Sequence, residues 1–184
     1  MRYVRAVSID PGSRFCGVCA YEFSTSLDTM RVLDAYTLRM HRIHRTRTLC
    51  EEMDEPPTLE RLRELEDALY RFYAAWKPGL VSCESAYFKQ QPKPYEILTL
   101  CIGAARSALR RYEPEQRLNL IEPSVIKNAV GVGGGSGDKD LVRGALQRIP
   151  DLLLPDNFLE LSEHAVDSIA IGYAGFLSLR RRLP

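Results

Sequence analysis

Hydrophobic positions at the start of the chain follow the spacing of β-strands. A mostly apolar run over residues 4–9 ends at Asp10, and Pro11–Gly12 then turns the backbone. Residues 15–23 are rich in small, apolar and aromatic side chains, and residues 30–40 alternate loosely between apolar and polar. Three such runs, separated by turn-forming residues, predict an antiparallel three-stranded meander.

After this meander the apolar spacing changes to that of helices. Between Leu59 and Trp76 apolar residues recur every three or four positions, which predicts an amphipathic helix capped by Thr58. Residues 80–83 then predict a short strand that leads into Glu84.

The rest of the chain alternates between helical and strand-like segments. A second helix is expected from after Pro94 to about Arg111, and residues 118–121 predict another strand. Because no repeat or linker interrupts the chain, residues 1–184 are expected to form one α/β domain with a mixed central sheet. Further helices are expected at 123–130, 138–148 and 162–180, with a glycine-rich loop at 131–137.

The composition is that of an ordinary globular protein, with 45% hydrophobic and 27% charged residues and a formal net charge of +1. No apolar run is long enough for a membrane span and no signal peptide is evident, so a soluble protein in a cytoplasm-like compartment is expected. The five cysteines are odd in number and scattered. Cys16 and Cys19 form a C-x-x-C pair, for which a structural role is favoured over redox chemistry or half a zinc site.

Charge is unevenly distributed despite the small net value. A basic stretch at residues 41–47 immediately precedes an acidic one at residues 51–55. Such segregation permits a local polyanion-binding patch. A solvated loop with charges of both signs explains the same pattern equally well.

Four side chains that can carry chemistry lie at predicted strand ends or on one helical face. Asp10 closes the first strand, and Glu84 closes the fourth. His164 and Asp167 are three residues apart on the last predicted helix, so they share a face. Each acid alone has a structural explanation, such as starting a turn or bonding to backbone, and His164 alone is compatible with a satisfied structural histidine. Their joint placement favours a catalytic centre.

These carboxylates favour a metal site, because apart from Arg14 no cation close in sequence neutralises them. Oxygen-rich ligand sets suit Mg²⁺ or Mn²⁺, and the missing cysteine and histidine pairs argue against structural zinc. Two ions about 4 Å apart can activate water and stabilise the leaving oxygen of a phosphodiester. His164 admits two roles, as a ligand that favours Mn²⁺ or as a group that orients water or accepts its proton.

Four motifs, in family order along nearly the whole chain, resemble those of the RuvC Holliday-junction resolvases. The resemblance implies an RNase H-like fold, in which antiparallel and parallel strands share one sheet flanked by helices. It also implies a crossover junction endodeoxyribonuclease that binds four-way DNA as a homodimer. Such an enzyme nicks two strands symmetrically and leaves 5′-phosphate and 3′-hydroxyl ends. The motifs are Ile9–Arg14 with Gly17, Cys83–Phe88, Glu122–Gly131 with Lys139 beyond it, and His164–Gly172.

The resemblance implies metal-binding roles for the three carboxylates. Asp10, Glu84 and Asp167 match the family's metal ligands, with two Mg²⁺ ions per site and Mn²⁺ as an alternative. His164 falls where some members carry His and others Asp.

The resemblance also implies DNA contacts. Lys127 and Lys139 match basic positions near the scissile phosphate. Tyr87 falls where the family places an aromatic that stacks on an unpaired junction base, and Phe88 beside it is a competing candidate. The remaining DNA-binding candidates are Arg14 and Lys89.

One weak feature of the sequence supports dimerisation. The helix after Pro94 has a wide apolar face that either serves core and partner together or is buried within one subunit. Its apolar positions are Ile97, Leu98, Cys101, Ile102, Ala105 and Leu109.

Two segments of the chain depart from the family pattern. The long segment between Asp10 and Glu84 and the glycine-rich loop suggest a compact, diverged member, such as a viral one, with broader activity on branched DNA.

Three other functions compete with that of a junction resolvase. One is that of a nuclease of the same fold acting on RNA–DNA hybrid, and another is that of a branched-DNA-binding module without cleavage. Asp10–Gly17 also fits the phosphate loop of actin-like ATPases, but 184 residues cannot supply the two domains those proteins need.

Overall fold

The computed structural model describes residues 3–24, 26, 28–40, 57–87, 92–133 and 139–182; the basic and acidic stretches at 41–47 and 51–55 lie outside them. A six-stranded mixed sheet is the centre of the fold, in the order β5-β4-β1-β2-β3-β6. The predicted meander is confirmed, because β1, β2 and β3 pair antiparallel in chain order, whereas the pairs β1–β4, β4–β5 and β3–β6 are parallel. The strands are β1 Tyr3–Asp10, β2 Phe15–Ser24, β3 Met30–Arg39, β4 Leu80–Glu84, β5 Leu118–Ile121 and β6 Leu152–Leu153.

Five helices accompany this sheet in the described part of the chain. Each corresponds to a predicted helix, but two of them begin earlier than expected. They are α1 Pro57–Trp76, α2 Pro92–Tyr112, α3 Pro123–Ala129, α4 Lys139–Gln147 and α5 Glu163–Arg180, with a short 3₁₀ turn at Phe158–Glu160.

Proline explains both early starts. The helix α1 begins at Pro57, so Thr58 lies inside it and the predicted cap at Thr58 is wrong. The helix α2 begins at Pro92 rather than after Pro94. Proline is tolerated in the first turn of a helix because the N–H group it lacks would have no partner there.

The alternation of side chains along β1 and β2 produces two separate cores. Ala6, Tyr21 and Phe23 face α5, while Val7 and Val18 face α1 and α2. The cysteine pair follows the same alternation, since Cys19 belongs to the α5 side and Cys16 to the α1–α2 side. Both thiols are free and fully buried, and burial raises their pKa. Because the two thiols lie on opposite sides of the sheet, their placement favours a structural role for this C-x-x-C pair.

The helix α5 lies unusually close to the sheet. A Cβ atom added at Gly172 would lie 2.7 Å from the Oγ of Ser8, and one added at Gly175 would lie 2.5 Å from the Oγ of Ser82. The Ser8 hydroxyl donates to the carbonyl of Ser168 on the helix at 2.6 Å. Small residues on both surfaces thus set the height of α5 above the strands.

The helix α2 is buried on one side and exposed on the other. Cys101, Ala105 and Ala108 are fully buried against the rest of the α1–α2 core, whereas Tyr95 and Leu100 stay exposed. Among the described helices none is both long and apolar enough to cross a membrane.

Candidate active site

Asp10 and Glu84 end two neighbouring parallel strands. The register of β1 and β4 pairs Ser8 with Ser82 and Ile9 with Cys83, so Asp10 and Glu84 follow at the next position on each strand. Because side chains alternate along a strand, both acids lie on the same side of the sheet as Ser8 and Ser82, the side that α5 covers. The carboxyl ends of β1 and β4 therefore present two acids to the start of α5.

The start of α5 is fixed against these strand ends by Gly17. Gly17 is the β2 partner of Asp10, and an added Cβ there would lie 1.8 Å from the carbonyl oxygen of His164. A residue with any side chain would push this turn of α5 away. The missing side chain is thus what brings His164 above Asp10.

Polar contacts hold the residues that lead into α5. Ser162 caps the helix by accepting from the backbone N–H of Ala165 at 3.4 Å, and its hydroxyl also contacts that of Thr37. The guanidinium of Arg143 on α4 donates to the carbonyls of Phe158 at 2.7 Å and Leu161 at 2.6 Å. These bonds restrain the N-terminal end of α5 from two directions.

His164 and Asp10 are hydrogen-bonded. The Nδ1 atom of His164 lies 2.8 Å from the Oδ2 atom of Asp10, and the imidazole stacks on Phe15 with ring centroids 5.9 Å apart. An ionised Asp10 carboxylate requires the proton on Nδ1, which leaves the Nε2 lone pair available for other chemistry. The hydrogen bond to Asp10 raises the pKa of His164, with partial burial opposing this effect.

One cavity brings the three predicted carboxylates together. It encloses about 170 Å³ and is lined by Asp10, Glu84 and Asp167, with Lys127 of α3 on its wall. Its other lining residues are mainly apolar: Pro123, Ile126, Val130, Val142, Ala170 and Ile171. The fold thus brings Lys127, more than forty residues from Glu84 in sequence, to the same cavity as the acids.

The oxygen donors of this cavity fit a hard divalent cation in chemistry. In the part of the chain that the structure describes, no three His, Cys, Asp or Glu side chains lie close enough together to hold an ion as they stand. The Asp10 carboxylate is engaged by His164. Binding of an ion would therefore require these side chains to draw together.

A wider groove opens beside the cavity. It encloses about 440 Å³ and shares Glu84, Pro123 and Lys127 with the cavity wall. Two tyrosines also line it: Tyr87, whose side chain is 63% exposed, and Tyr95 at the start of α2. Exposed aromatic rings beside a cation and acids can receive a nucleobase next to a phosphate.

The other predicted DNA-binding residues either lie away from the cavity and the groove or are not fully described by the structure. Arg14 is exposed in the turn between β1 and β2 and lines neither the cavity nor the groove. Phe88 and Lys89 lie outside the described residues. Lys139 is the first residue of α4, and only its backbone is described.

Two aromatic residues at the site were not predicted. Phe15 stacks on His164, and Tyr95 lines the groove. Phe15 lies in a predicted strand and Tyr95 lies at the start of the predicted second helix, and neither position indicates a site residue in the sequence. Their role becomes visible only in the folded chain, where Phe15 on β2 lies against His164 and Tyr95 at the start of α2 lines the same groove as Glu84.

Similar folds occur among solved structures of Holliday junction resolvases. Thermus thermophilus RuvC in complex with its Holliday junction substrate shares 18% identity, covers 96% of each chain and has a TM-score of 0.65. The Fowlpox virus resolvase with substrate Holliday junction DNA shares 13% identity over 95% of this chain and 98% of its own, with a TM-score of 0.57. The yeast mitochondrial resolvase Ydc2 shares 13% identity over 97% and 82%, with a TM-score of 0.60. These likenesses confirm the expected fold.

The family follows from the sequence itself. A comparison with curated proteins gives no significant match. The model of the family described as crossover junction endodeoxyribonuclease RuvC matches residues 6–174, a span that includes both acidic strand ends and the His164–Asp167 helix. The chain therefore belongs to the RuvC family of crossover junction endodeoxyribonucleases.

Proposed function

We propose that this protein resolves four-way DNA junctions by metal-dependent hydrolysis, as a homodimer that places one nick in each of two strands. The observation that carries the proposal is the single cavity lined by Asp10, Glu84, Asp167 and Lys127 in a chain of this family. Three acids and one cation around a small cavity suit a phosphodiester and a divalent ion better than they suit a neutral ligand.

Asp10, Glu84 and Asp167 would hold the ions, Mg²⁺ by donor preference with Mn²⁺ as an effective substitute. Divalent ions bound there supply activation of water and stabilisation of the leaving oxygen. Asp10 has a further task, because its Oδ2 atom orients the His164 ring. A carboxylate that serves both an ion and an imidazole couples the charge of the site to the protonation of His164.

His164 is proposed as the proton acceptor. With Nδ1–H donating to Asp10, the Nε2 atom can take the proton of the attacking water as its oxygen forms the new bond to phosphorus. The phosphorus–O3′ bond breaks, the 3′ oxygen takes a proton from solvent, and the products carry a 5′-phosphate and a 3′-hydroxyl. Lys127 would neutralise charge that builds on the phosphate oxygens.

The groove beside the cavity would hold the nucleotide next to the scissile phosphate. Tyr87 is the exposed ring on which an unpaired junction base would stack, a contact worth about 1–3 kcal/mol. Symmetric nicking requires two active sites, which two copies of this chain would supply.

The test is cleavage of a labelled four-way junction beside matched linear duplex and RNA–DNA hybrid, with Mg²⁺, with Mn²⁺ and with chelator. Paired nicks confined to the junction, present with either ion and absent with chelator, are expected. Sedimentation at micromolar concentration is expected to give the mass of a dimer.

Each other result would replace a defined part of the proposal. Preferential cutting of the hybrid would keep the fold and change the substrate. Tight junction binding without cutting in either ion would indicate a recognition module. Cutting by a monomer would contradict symmetric resolution.

A further inference from the structure

A second strongly charged surface lies away from the acidic cavity, at the far end of α2. It is a hollow of about 470 Å³ lined by Arg106 and Arg110 of α2 and by Arg117, the residue before β5. We call this hollow the arginine basin. A shallower hollow of about 520 Å³ adjoins it, lined by Arg106, Arg110 and Arg111 with Gly103 and Ser107.

The cations of the arginine basin are not neutralised by neighbouring acids. Within the described residues, no ion pair or hydrogen bond joins a carboxylate to Arg106, Arg110 or Arg117, and all three are exposed. Arg111, the next residue, shows the contrast: it donates to Glu66 at 3.0 Å and to Asp67 at 2.8 Å. The acid in the lining of the basin is Glu115, so three guanidinium groups face one carboxylate.

A continuous face of α2 connects the basin to the active-site groove. Tyr95 lines the groove and Arg106 lines the basin, eleven residues further along the helix. Eleven residues are about three full turns, so the two side chains point in nearly the same direction about 16 Å apart. Arg110 follows one turn beyond Arg106 on the same stripe.

We propose that the arginine basin binds the phosphodiester backbone of a DNA arm that extends from the active-site groove. This surface rests on the proposed function for the identity of the DNA but uses none of the catalytic residues. Guanidinium groups present paired N–H donors that match phosphate oxygens. A spacing of about 16 Å corresponds to roughly five phosphates along one strand, so the same arm can reach both places.

Two other occupants fit the basin less well. A second copy of this chain, docked through the same surface, would bring identical arginines together without acids to pair them. A small anion would leave most of a 470 Å³ hollow unfilled and would not need a stripe that leads to a nuclease groove. A DNA arm matches both the charge of the basin and the direction of the stripe that joins it to the groove.

The experiment compares the wild type with a triple variant, Arg106→Gln, Arg110→Gln and Arg117→Gln. Its matched control loses the same charge elsewhere: Arg31→Gln on β3, Arg71→Gln on α1 and Arg148→Gln after α4. Binding to a labelled four-way junction is measured in chelator from 50 to 200 mM salt. Loss of three phosphate contacts lowers the salt slope by about 2.7, so across this range the wild type loses about 40-fold more affinity than the basin variant. The control is expected to keep the slope of the wild type.

Further measurements distinguish DNA binding by the basin from misfolding, from a change in oligomeric state and from failure of the proposed function. Thermal melting must show that the basin variant folds, and Arg110→Lys, which keeps the charge, is expected to retain most of the slope. At saturating protein the basin variant is expected to cleave the junction within about twofold of the wild-type rate, because the basin lies outside the active-site cavity. An unchanged salt slope in the folded variant would overturn the proposal, and so would weaker binding explained by a change in sedimentation mass. A wild type that binds but does not cleave, with the slope still dependent on the three arginines, would reject the proposed function and leave the basin intact.

Discussion

The two faces of the sheet are packed by different means. On the α5 side, serines and glycines bring helix and strands into close contact, as in the pairs Ser8–Gly172 and Ser82–Gly175. On the α1–α2 side, large side chains such as Leu65, Leu69 and Tyr73 fill an ordinary apolar core. The α5 face carries the four candidate catalytic residues, whereas the outer surface of α2 carries the groove and the arginine basin.

The α5 face needs more precise placement of its side chains than the outer surface of α2 does. A proton acceptor and metal ligands must be held within fractions of an ångström, and contact between small residues leaves a helix little freedom to slide. A surface that binds a flexible polyanion tolerates looser placement, so long as its charge is kept. Substitutions should therefore disturb chemistry through the α5 face and binding through α2.

The largest effect among the packing variants is expected at Gly17. A methyl group there would lie 1.8 Å from the carbonyl oxygen of His164, so Gly17→Ala must displace the start of α5 from Asp10. A displacement of about 1 Å costs on the order of 100-fold in rate. Single-turnover junction cleavage measures it, with Gly79→Ala as the control, since its Cβ would meet only ordinary contacts at 3.6 Å. Equal rates for the two variants would contradict the claim that the close approach of α5 to Gly17 positions His164.

Smaller effects, of opposite sign, are expected when glycine is replaced by alanine in α5 and in α2. Gly172→Ala places a methyl group 2.7 Å from the Ser8 hydroxyl and 3.0 Å from the buried Tyr21 ring, so overpacking is expected to lower the free energy of unfolding by about 1–3 kcal/mol. Gly103→Ala on α2 meets nothing within 4 Å and is expected to raise it by about 0.5–1 kcal/mol. Urea unfolding of both variants gives the two values. Effects of the same sign would contradict the difference between the faces.

The smallest effect concerns the protonation of His164. Its pKa is raised mainly by the hydrogen bond to Asp10, so in chelator it should titrate above the ordinary value of about 6.5. A raised pKa means that the protonated pair stabilises the fold fully below about pH 6.5, and that this stabilisation is lost as pH rises through the pKa of the folded protein. Ring NMR signals measure it, with His164→Gln to assign the resonance among three histidines. In Asp10→Asn the pKa of His164 should fall. An unchanged pKa would show that the hydrogen bond to Asp10 is not what raises it.

Most of the fold and the site could be predicted from the sequence because they depend on local patterns. The strand runs ending at Asp10 and Glu84 and the helix bearing His164 and Asp167 are read directly from apolar spacing. The strand β6 was missed because two residues, Leu152–Leu153, carry no periodicity and are defined only by pairing with β3.

The unpredicted parts of the site are those made by distant segments. The hydrogen bond from His164 to Asp10 spans 154 positions, and it depends on the absence of a side chain at Gly17 rather than on any residue that attracts notice. The arginine basin joins α2 to the residue before β5, and its charges are scattered in the sequence among the acids Glu113 and Glu115. Only the folded chain shows which arginines remain unpaired.

The central claim is that Asp10 belongs to a metal-dependent catalytic site, and its amide variant tests this most directly. Asp10→Asn keeps the size of the side chain and removes the charge that would hold the ion and that contacts His164. Cleavage of a labelled four-way junction in Mg²⁺ is measured beside junction binding, with Asp34→Asn on the exposed side of β3 as the control. The account predicts that Asp10→Asn loses cleavage, binds the junction within a few fold of the wild type, and leaves the control fully active. Substantial Mg²⁺-dependent cleavage by purified Asp10→Asn would contradict it.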